Sequence, residues 1–523
     1  MTNYPRQMYK QLQEQTEKSE RLEQENAGLR QEVKNLRREI SVLVSSIDAR
    51  IEAAVGRATK PLMEANGEKD KVIKAQGEEI VRLKGVINKD SGNSSKPPSS
   101  NGYKKVIANS RERSGKKPGG QRGRIGCSLC KPNNWEELER QGTVTILDHT
   151  DGRERYESRY VVDIDISVKW TEHRYPKGAK ELREMPPIGY GERLQALAIM
   201  LAEEEYVGQE RVCELIGEMT EGEVHPSEGW LNGVIRRFSV RLDGELAKIE
   251  EALLNGPVMN TDEAPMKTTE WMEPGEAEAG EAKAGKLERS EKTSEAAYMR
   301  VHSNERATRI TVNRHKDMSG VERDGILTRF HGILSHDHDK KYYNYGSEHA
   351  TCGAHLMREL KGIADNYGCA WPLEMRSFMR EMNQYKQADM AGKLSPPAGC
   401  APEKFTEFST RYDALLDQGA DAKERVDNRY AKDDLRKMLD RLRCYKDSYL
   451  LFMKNYSAPF TNNLAERDLR PCKGKQKISG CFRSWAGIVA FSRIRSFIST
   501  ARKRNLHILP AISLVISGTP VFL

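Results

Sequence analysis

A chain of 523 residues has room for three or four domains and a sizeable core. Charged residues make up 31% of it, mean hydropathy is -0.73, and a net charge of +8 gives a mild preference for polyanions. No stretch approaches the ~18 consecutive apolar residues of a membrane span, the opening residues lack the apolar core of a signal peptide, and nine scattered cysteines suit a reducing compartment; the expected location is cytoplasmic, with no membrane partner.

Residues 1–90 read as a coiled-coil dimerisation region. Leu22, Leu29, Leu36 and Leu43 recur every seven residues, and Asn26, Val33, Ile40 and Ile47 follow each by four. Leu at d with β-branched residues at a favours a parallel two-stranded coil, and a lone Asn at a helps fix its register. Ile73, Ile80 and Ile87, with Leu83, continue the apolar repeat. Residues 91–126 then read as a basic flexible linker. Lys104, Lys105, Arg111, Arg113, Lys116, Lys117, Arg122 and Arg124 surround Pro118-Gly119-Gly120. Such a composition has little to bury, and serves either as a nucleic-acid contact or as a solvated tether.

Residues 127–180 are expected to form a small β-rich module, a degenerate zinc finger in character. Cys127 and Cys130 have the spacing of half a zinc site, but a structural zinc needs four ligands and no second Cys-x-x-Cys follows, so none is expected. Val162, Ile164, Ile166, Val168 and Trp170 alternate with other residues, which predicts a half-buried strand over 160–170 with Thr143–Leu147 as its partner. From 181 to 256 the period lengthens. Leu194, Leu197, Met200 and Leu201 mark one helix, Val212, Leu215 and Ile216 a second, and Trp230, Val234 and Phe238 a third. Three short helices suit a helix-turn-helix DNA reader or a packing layer, and the residues do not choose between them.

Residues 257–345 show strands that terminate in acid. Pro257–Glu263 is a short strand reaching Asp262 and Glu263; Ala297, Met299 and Val301 alternate, as do Thr308, Ile310 and Val312, predicting an antiparallel hairpin. A low-complexity loop from Glu273 to Glu295 precedes the hairpin. A polar helix from Met318 to Thr328 leads to Gly332–Ser335, a strand followed by His336-Asp337-His338-Asp339. Strand, hairpin, helix, strand, with aspartates at the outer strand ends, is the order of an RNase H-like core. Two carboxylates brought close together raise one another's pKa. A divalent cation removes that penalty, and hard oxygen ligands suit Mg²⁺. Asp339 is a rival to Asp337 for the second position.

Residues 346–460 read as an all-α insertion. Within it His349, Cys352 and His355 sit three apart, a spacing that could present three metal ligands on one helix face; a small Cys packed inward is the preferred reading. Residues 461–523 close the core. Glu466 falls early in a helix that Asn462 or Asn463 can cap, with Ala465 and Leu469 on one side. Arg467, Arg470, Lys473, Lys475, Lys477 and Arg483 follow and suit a phosphate backbone. Ile488, Phe491, Ile494, Ile498 and Ala501 give the next helix an apolar face, and the apolar tail broken by Pro510, Gly518 and Pro520 is expected to pack rather than to anchor. The fold class expected is multidomain α+β: an N-terminal coiled coil, small β and helical modules, and a mixed α/β catalytic core interrupted by helices.

Several stretches resemble the large transposase of the bacterial insertion-sequence family numbered sixty-six. They are Asn93–Asn101 (NSSKPPSSN), Lys117–Gln121 (KPGGQ), Thr261-Asp262-Glu263, Gly332–Asp337 (GILSHD), Cys352–Leu360 (CGAHLMREL), Asn462–Arg470 (NNLAERDLR), Lys477–Ser484 (KISGCFRS) and Arg493–Lys503 (RIRSFISTARK). The resemblance implies a DDE transposase with an RNase H-like catalytic domain, which cuts at element ends and joins the freed 3′-hydroxyl to target DNA. It implies Asp262, Asp337 and Glu466 as catalytic, metal-holding acids, with two Mg²⁺ or Mn²⁺ ions as cofactors. Double-stranded DNA, a second copy of the chain and small companion proteins of the same element are the partners it suggests, in a nucleoid-associated setting. Where many members carry a cysteine-rich zinc module after KPGGQ, only Cys127 and Cys130 stand here. The alternatives are a catalytically inactive dimeric DNA-binding regulator, and an RNase H-like nuclease or resolvase that cuts without joining.

Overall fold

The computed structural model describes residues 4–90, 93–94, 130–151, 155, 157–164, 166–177, 180, 187–268, 295–391 and 397–522. Nearly all of the basic linker, the KPGGQ run, Cys127 and the low-complexity loop up to residue 294 lie outside the described residues.

The first unit is the helix α1 (Tyr4–Ile87), continuous over 84 residues. The apolar seam expected of it faces outward along its whole length. Leu22, Leu29, Leu36, Leu43, Val33, Ile40 and Ile47 are all exposed, Leu29 at 54%.

In the second unit, residues 130–190 hold one short helix, α2 (Trp135–Arg140), with no strand among the described residues. The strand expected over 160–170 is not formed: Val161 and Ile164 are 94% and 84% exposed, and Thr143–Leu147 is not a strand either. Among the described residues the alternating segment pairs with no other strand, and a lone strand is not stable in water. Four helices follow: α3 (Glu192–Ile199), extended by a π-turn at Met200–Glu204, then α4 (Gln209–Met219), α5 (Glu228–Arg241) and α6 (Asp243–Leu254). Ile199, Val212, Leu231, Val234, Phe238 and Ile249 are buried in one core that includes Ile494, Phe497 and Ile512 from the C-terminal helices.

Among the described residues the sheet has five strands: β1 (Val258–Thr268), β2 (Glu295–Ser303), β3 (Thr308–Asn313), β4 (Ile333–His336) and β5 (Glu348–Thr351), in the order β3-β2-β1-β4-β5. The expected hairpin forms, with Val301 opposite Ile310 and β2 antiparallel to both β1 and β3. β1 runs parallel to β4, and β4 parallel to β5. β1 is longer than its sequence suggests. Its pairing with β4 stops at Asn260, whereas its pairing with β2 continues to Thr268. Asp262 is therefore mid-strand, beyond the point where β1 and β4 part. Between β3 and β4, α7 (Met318–Asp324) ends at Gly325, whose φ of 68° is the left-handed conformation glycine adopts without a Cβ penalty.

The region 346–460 is not purely helical, because it opens with β5, the edge strand of the sheet. Then come α8 (Gly353–Tyr367), α9 (Trp371–Met390), α10 (Pro402–Arg425), α11 (Arg429–Cys444) and α12 (Lys446–Lys454). These bury Leu360, Met375, Phe378, Tyr412, Leu435 and Phe452 in a core of their own that reaches Ile333 and Ala350 of the sheet. The chain closes with α13 (Asn463–Ser479), α14 (Trp485–Lys503) and α15 (Ile508–Ile516). Ala465, Leu469 and Cys472 of α13, with Ile488 and Phe491 of α14, pack on Ala264, Met266, Met299, Val301 and Ile310. Ala511, Ile512 and Val515 of the apolar tail are buried. Among the described residues no helix is long and apolar enough to cross a membrane.

Candidate active site

The β1–β4 register pairs Asn260 with Ser335. Asp262 lies two residues beyond that last pair on β1 and Asp337 just past the end of β4, and Asp337 is near enough for its charge to act on the Asp262 carboxyl. By the two-residue period of a strand, Asp262 shares its face with Ala264 and Met266, which pack beneath α13. The carboxylates feel one another. Burial and the nearby Asp337 charge push the Asp262 carboxyl up to about 7, against the opposing pull of Lys473 and of the Glu263 N–H, which donates to it at 2.8 Å. Glu466 acts in the same direction as Asp337, more weakly.

The next residue, Glu263, points to the opposite face and anchors a buried charge network. Its carboxylate accepts from Lys341 Nζ at 2.7 Å and from Arg300 Nη2 at 3.0 Å. Arg300 stands directly opposite on β2, is 1% exposed, and also pairs with Asp324 at the end of α7. Lys341 lies in the 3₁₀ turn Lys340–Asn344 that follows β4. Glu263 and Lys341 thus tie the strand bearing Asp262 to the loop bearing Asp337. This network also separates the two rival aspartates. Asp339 caps that turn, accepting from Lys341 N at 3.2 Å and Nζ at 3.0 Å. Burial alone would raise its carboxyl, yet Lys341 holds it below its usual value. Its charge is already used for structure. Between them His338 takes a φ of 77°, a strained conformation for a residue with a Cβ. A 2.8 Å contact from its Nδ1 to Tyr343 Oη, with Tyr445 and Tyr449 against its ring, holds it there.

Glu466 arrives in the first turn of α13, its N–H donating to the Asn462 carbonyl. Asn462 occupies the N-cap position, but its side chain does not cap. It donates instead to the Thr261 carbonyl at 2.7 Å, while its backbone N–H donates to Cys352 Sγ at 3.2 Å. One fully buried asparagine therefore joins β1, α8 and α13. Gly353 N–H adds a bond to the Phe460 carbonyl at 2.9 Å, and a Cβ at 353 would come within 2.6 Å of the Phe460 ring. From α8, His355 Nδ1 and Arg358 Nη2 approach Glu466 Oε1 at 3.6 and 3.7 Å. His349, Cys352 and His355 do not share a helix face, because Cys352 precedes the helix and His349 lies on β5, edge-on to His336; Cys352 is buried, as in the preferred reading of a small Cys packed inward.

The cations sort by helical face. Arg470, Lys473 and Lys477 follow Glu466 at four, seven and eleven residues, on the same side of α13, and all three are exposed. Arg467 and Arg483 are exposed as well. Lys475 departs from expectation. It turns inward, donating to the Ala202 carbonyl at 2.8 Å with Glu203 at 3.8 Å, and so holds α13 against the π-turn rather than facing solvent. Asp468 is likewise structural, accepting from Ser303, Thr308 and Lys503. Sequence reasoning missed Glu263, Arg300, Lys341 and Arg358. Only Glu263 left a signal, as the acid that alternation must send to the face opposite Asp262.

Adjacent carboxylates, one held near neutrality by burial and its neighbour, are a donor set that a hard divalent cation would relieve. The acids present fit such an ion. The model for the family described as Transposase IS66 family matches residues 188–490, more than half of the chain. A search of curated proteins returned no match. A solved structure titled "Crystal structure of the Mos1 Strand Transfer Complex" is 14% identical over 50% of this chain and 79% of that one; its TM-score of 0.12 is too low to bear on the fold.

Proposed function

Because the chain belongs to the IS66 transposase family, we propose that it is a metal-dependent DNA transposase of the DDE type, cutting at the ends of an insertion element and joining the freed 3′-hydroxyl to target DNA. The observation that supports this reading is that Asp262 and Asp337 follow the last paired residues of two parallel strands, close enough for the Asp337 charge to act on the buried Asp262 carboxyl. A sheet of three antiparallel strands continued by two parallel ones, with an acid-bearing helix across it, is the arrangement expected of an RNase H-like core.

Asp262, Asp337 and Glu466 are the residues assigned to hold Mg²⁺ or Mn²⁺. Bound there, such ions supply charge stabilisation for the attacking and leaving oxygens of an in-line displacement at phosphorus. The chain's own groups do the rest. The Glu263–Lys341 pair fixes the spacing of the aspartates, and the Asn462 bonds bring Glu466 to the sheet. Arg470, Lys473 and Lys477, on the Glu466 side of α13, are assigned to the DNA phosphates, with Arg467 and Arg483 beside them; Lys475 leaves that set. In cleavage the attacking oxygen comes from water, and in joining from a DNA 3′-hydroxyl. Each step forms one P–O bond and breaks another.

Self-association is assigned to α1. Glu25 and Glu32 at g precede Arg30 and Arg37 at e by five residues, the spacing at which parallel in-register helices form ion pairs. An antiparallel pairing would set glutamate against glutamate.

Labelled element ends incubated with the protein and Mg²⁺ or Mn²⁺ test the reaction. Joined products are expected, and single Ala substitutions at Asp262, Asp337 or Glu466 should abolish them while leaving DNA binding in place. Cleavage without joining would favour a nuclease, and bound but uncut DNA an inactive regulator. For α1, a fragment of residues 1–90 should sediment as a dimer at tens of micromolar, roughly the range for coils of this length. A monomer there would remove the assignment.

A further inference from the structure

Glu466 also faces a second set of donors, carried by the start of α8. Cys352 occupies the N-cap position of α8, 1% exposed, and His355 follows on the first turn of that helix. The Cys352 sulfur, a ring nitrogen of His355 and a carboxylate oxygen of Glu466 all lie within 4.8 Å of one another. Two of these atoms lack what buried polar atoms normally have. His355 Nδ1 and Glu466 Oε1 are both buried, and neither has a hydrogen-bond partner among the described residues. They face each other at 3.6 Å, beyond hydrogen-bond length, yet close to the ~3.3 Å that separates two ligand atoms around a tetrahedral ion with bonds of ~2.0 Å.

We infer that Cys352, His355 and Glu466 form a second metal site, for a thiophilic divalent cation of the zinc class, which shares Glu466 with the acid triad. Sulfur, imidazole and a single carboxylate make a zinc-type ligand set, whereas magnesium takes oxygens. A Cys-x-x-His step at the start of a helix brings both ligands to one end of it. The amide of Asn462 already donates to the sulfur, as amides commonly do toward a metal-bound thiolate, and water completes the four ligands. Two features limit the affinity. Arg358 stands 3.7 Å from the shared oxygen, and burial raises the Cys352 thiol, whose proton the metal must displace. Since one carboxylate cannot serve both ion classes at full strength, occupancy by zinc withdraws Glu466 from the triad and inhibits. That last consequence rests on the transposase reading; the site itself does not.

Cobalt(II) is the probe, titrated into the reduced full-length chain carrying Cys127→Ser and Cys130→Ser so that those thiols contribute nothing. One equivalent should bind with a near-ultraviolet sulfur-to-cobalt charge-transfer band and the visible bands of a tetrahedral ion, both abolished by zinc. The charge-transfer band should vanish in Cys352→Ser. His355→Ala should weaken binding by at least the ~10-fold that even outer-shell partners of a metal site cost. No charge-transfer band in the parent, or a band that survives Cys352→Ser, overturns the site. Should Cys352→Ser fail to fold by circular dichroism, unchanged cobalt affinity in His355→Ala overturns it instead. The readout uses no DNA, so it stands or falls apart from strand transfer. In the parent, zinc added at its cobalt-displacing concentration should suppress Mg²⁺-supported joining, and undiminished joining at full zinc occupancy would remove the inhibitory role.

Discussion

Two stretches of this chain carry the same alternating pattern and meet opposite fates. Along β2, Ala297, Met299 and Val301 alternate with polar residues and are fully buried; along 160–170, Val162, Ile164, Ile166 and Trp170 alternate as regularly and stay exposed. The difference is company. β2 is hydrogen-bonded on both edges, by β1 and β3, and helices cover its apolar face. Its other face is partnered too, since Arg300 is buried against Glu263 and Asp324. Periodicity tells which side of a segment can be buried, and says nothing of what will bury it. α1 and α14 repeat the lesson at helical spacing: Ile494 and Ile498 are buried, whereas Leu29 and Ile40 face outward.

Substitutions can break this comparison, beginning with the largest effect. Arg300→Ala leaves the buried Asp324 carboxylate without its cation and Glu263 with Lys341 alone, and should cost about 3–5 kcal/mol in urea unfolding. A loss below 1 kcal/mol would mean that the network on the far face of β2 is ornamental to the fold. Met299→Ala should cost about 2–5 kcal/mol, while Ile164→Ala should stay within about 0.5 kcal/mol of the parent. Equal losses at the two positions would show that 160–170 is buried in solution after all.

A subtler test lies in the pH dependence of the metal-free chain. The Asp262 carboxyl is raised from 3.8 to about 7, chiefly by burial and then by Asp337. Between those values the unfolded chain ionises while the folded chain keeps its proton, so stability falls as pH rises and the loss is complete above about 7. Asp262→Asn removes that penalty. It should melt above the parent at pH 8 and alongside it near pH 4, and a gap of equal size at both values would refute the electrostatic cause. Saturating Mg²⁺ should narrow the gap at pH 8 by stabilising only the parent.

Much of the sheet was legible because its strands announce themselves. The hairpin of β2 and β3, the strand leading to Asp337 and the buried face of α14 all follow from spacing. β5 was missed, since the four residues from Glu348 to Thr351 are too few to show a period. At the candidate site, the pattern pointed to aspartates at the ends of two strands and left Asp337 and Asp339 open, while the family resemblance implied Asp337 and Glu466; the two strands do run parallel as far as Asn260 and Ser335. The residues that hold them were hidden for a physical reason. Glu263 meets Lys341, and Cys352 meets Asn462, across gaps of 78 and 110 residues that no local pattern spans. The inward turn of Lys475, by contrast, was present in the helical period. It falls off the face shared by Glu466, Arg470, Lys473 and Lys477, and only the eye for a basic run grouped it with them.

The helices α8 to α12 also impose a timetable. Glu466 lies roughly 130 residues after Asp337, and at synthesis rates of about 5–20 residues per second the ribosome needs on the order of ten seconds to make that stretch. Throughout that interval Asp262 and Asp337 exist without Glu466, while α1, earlier in the chain, is already made. On the proposed pairing of α1, assembly can thus precede competence on each new polypeptide. By the same proposed pairing, a truncated product ending anywhere within those helices would join full-length chains yet lack Glu466, which would make premature termination a source of built-in inhibitor.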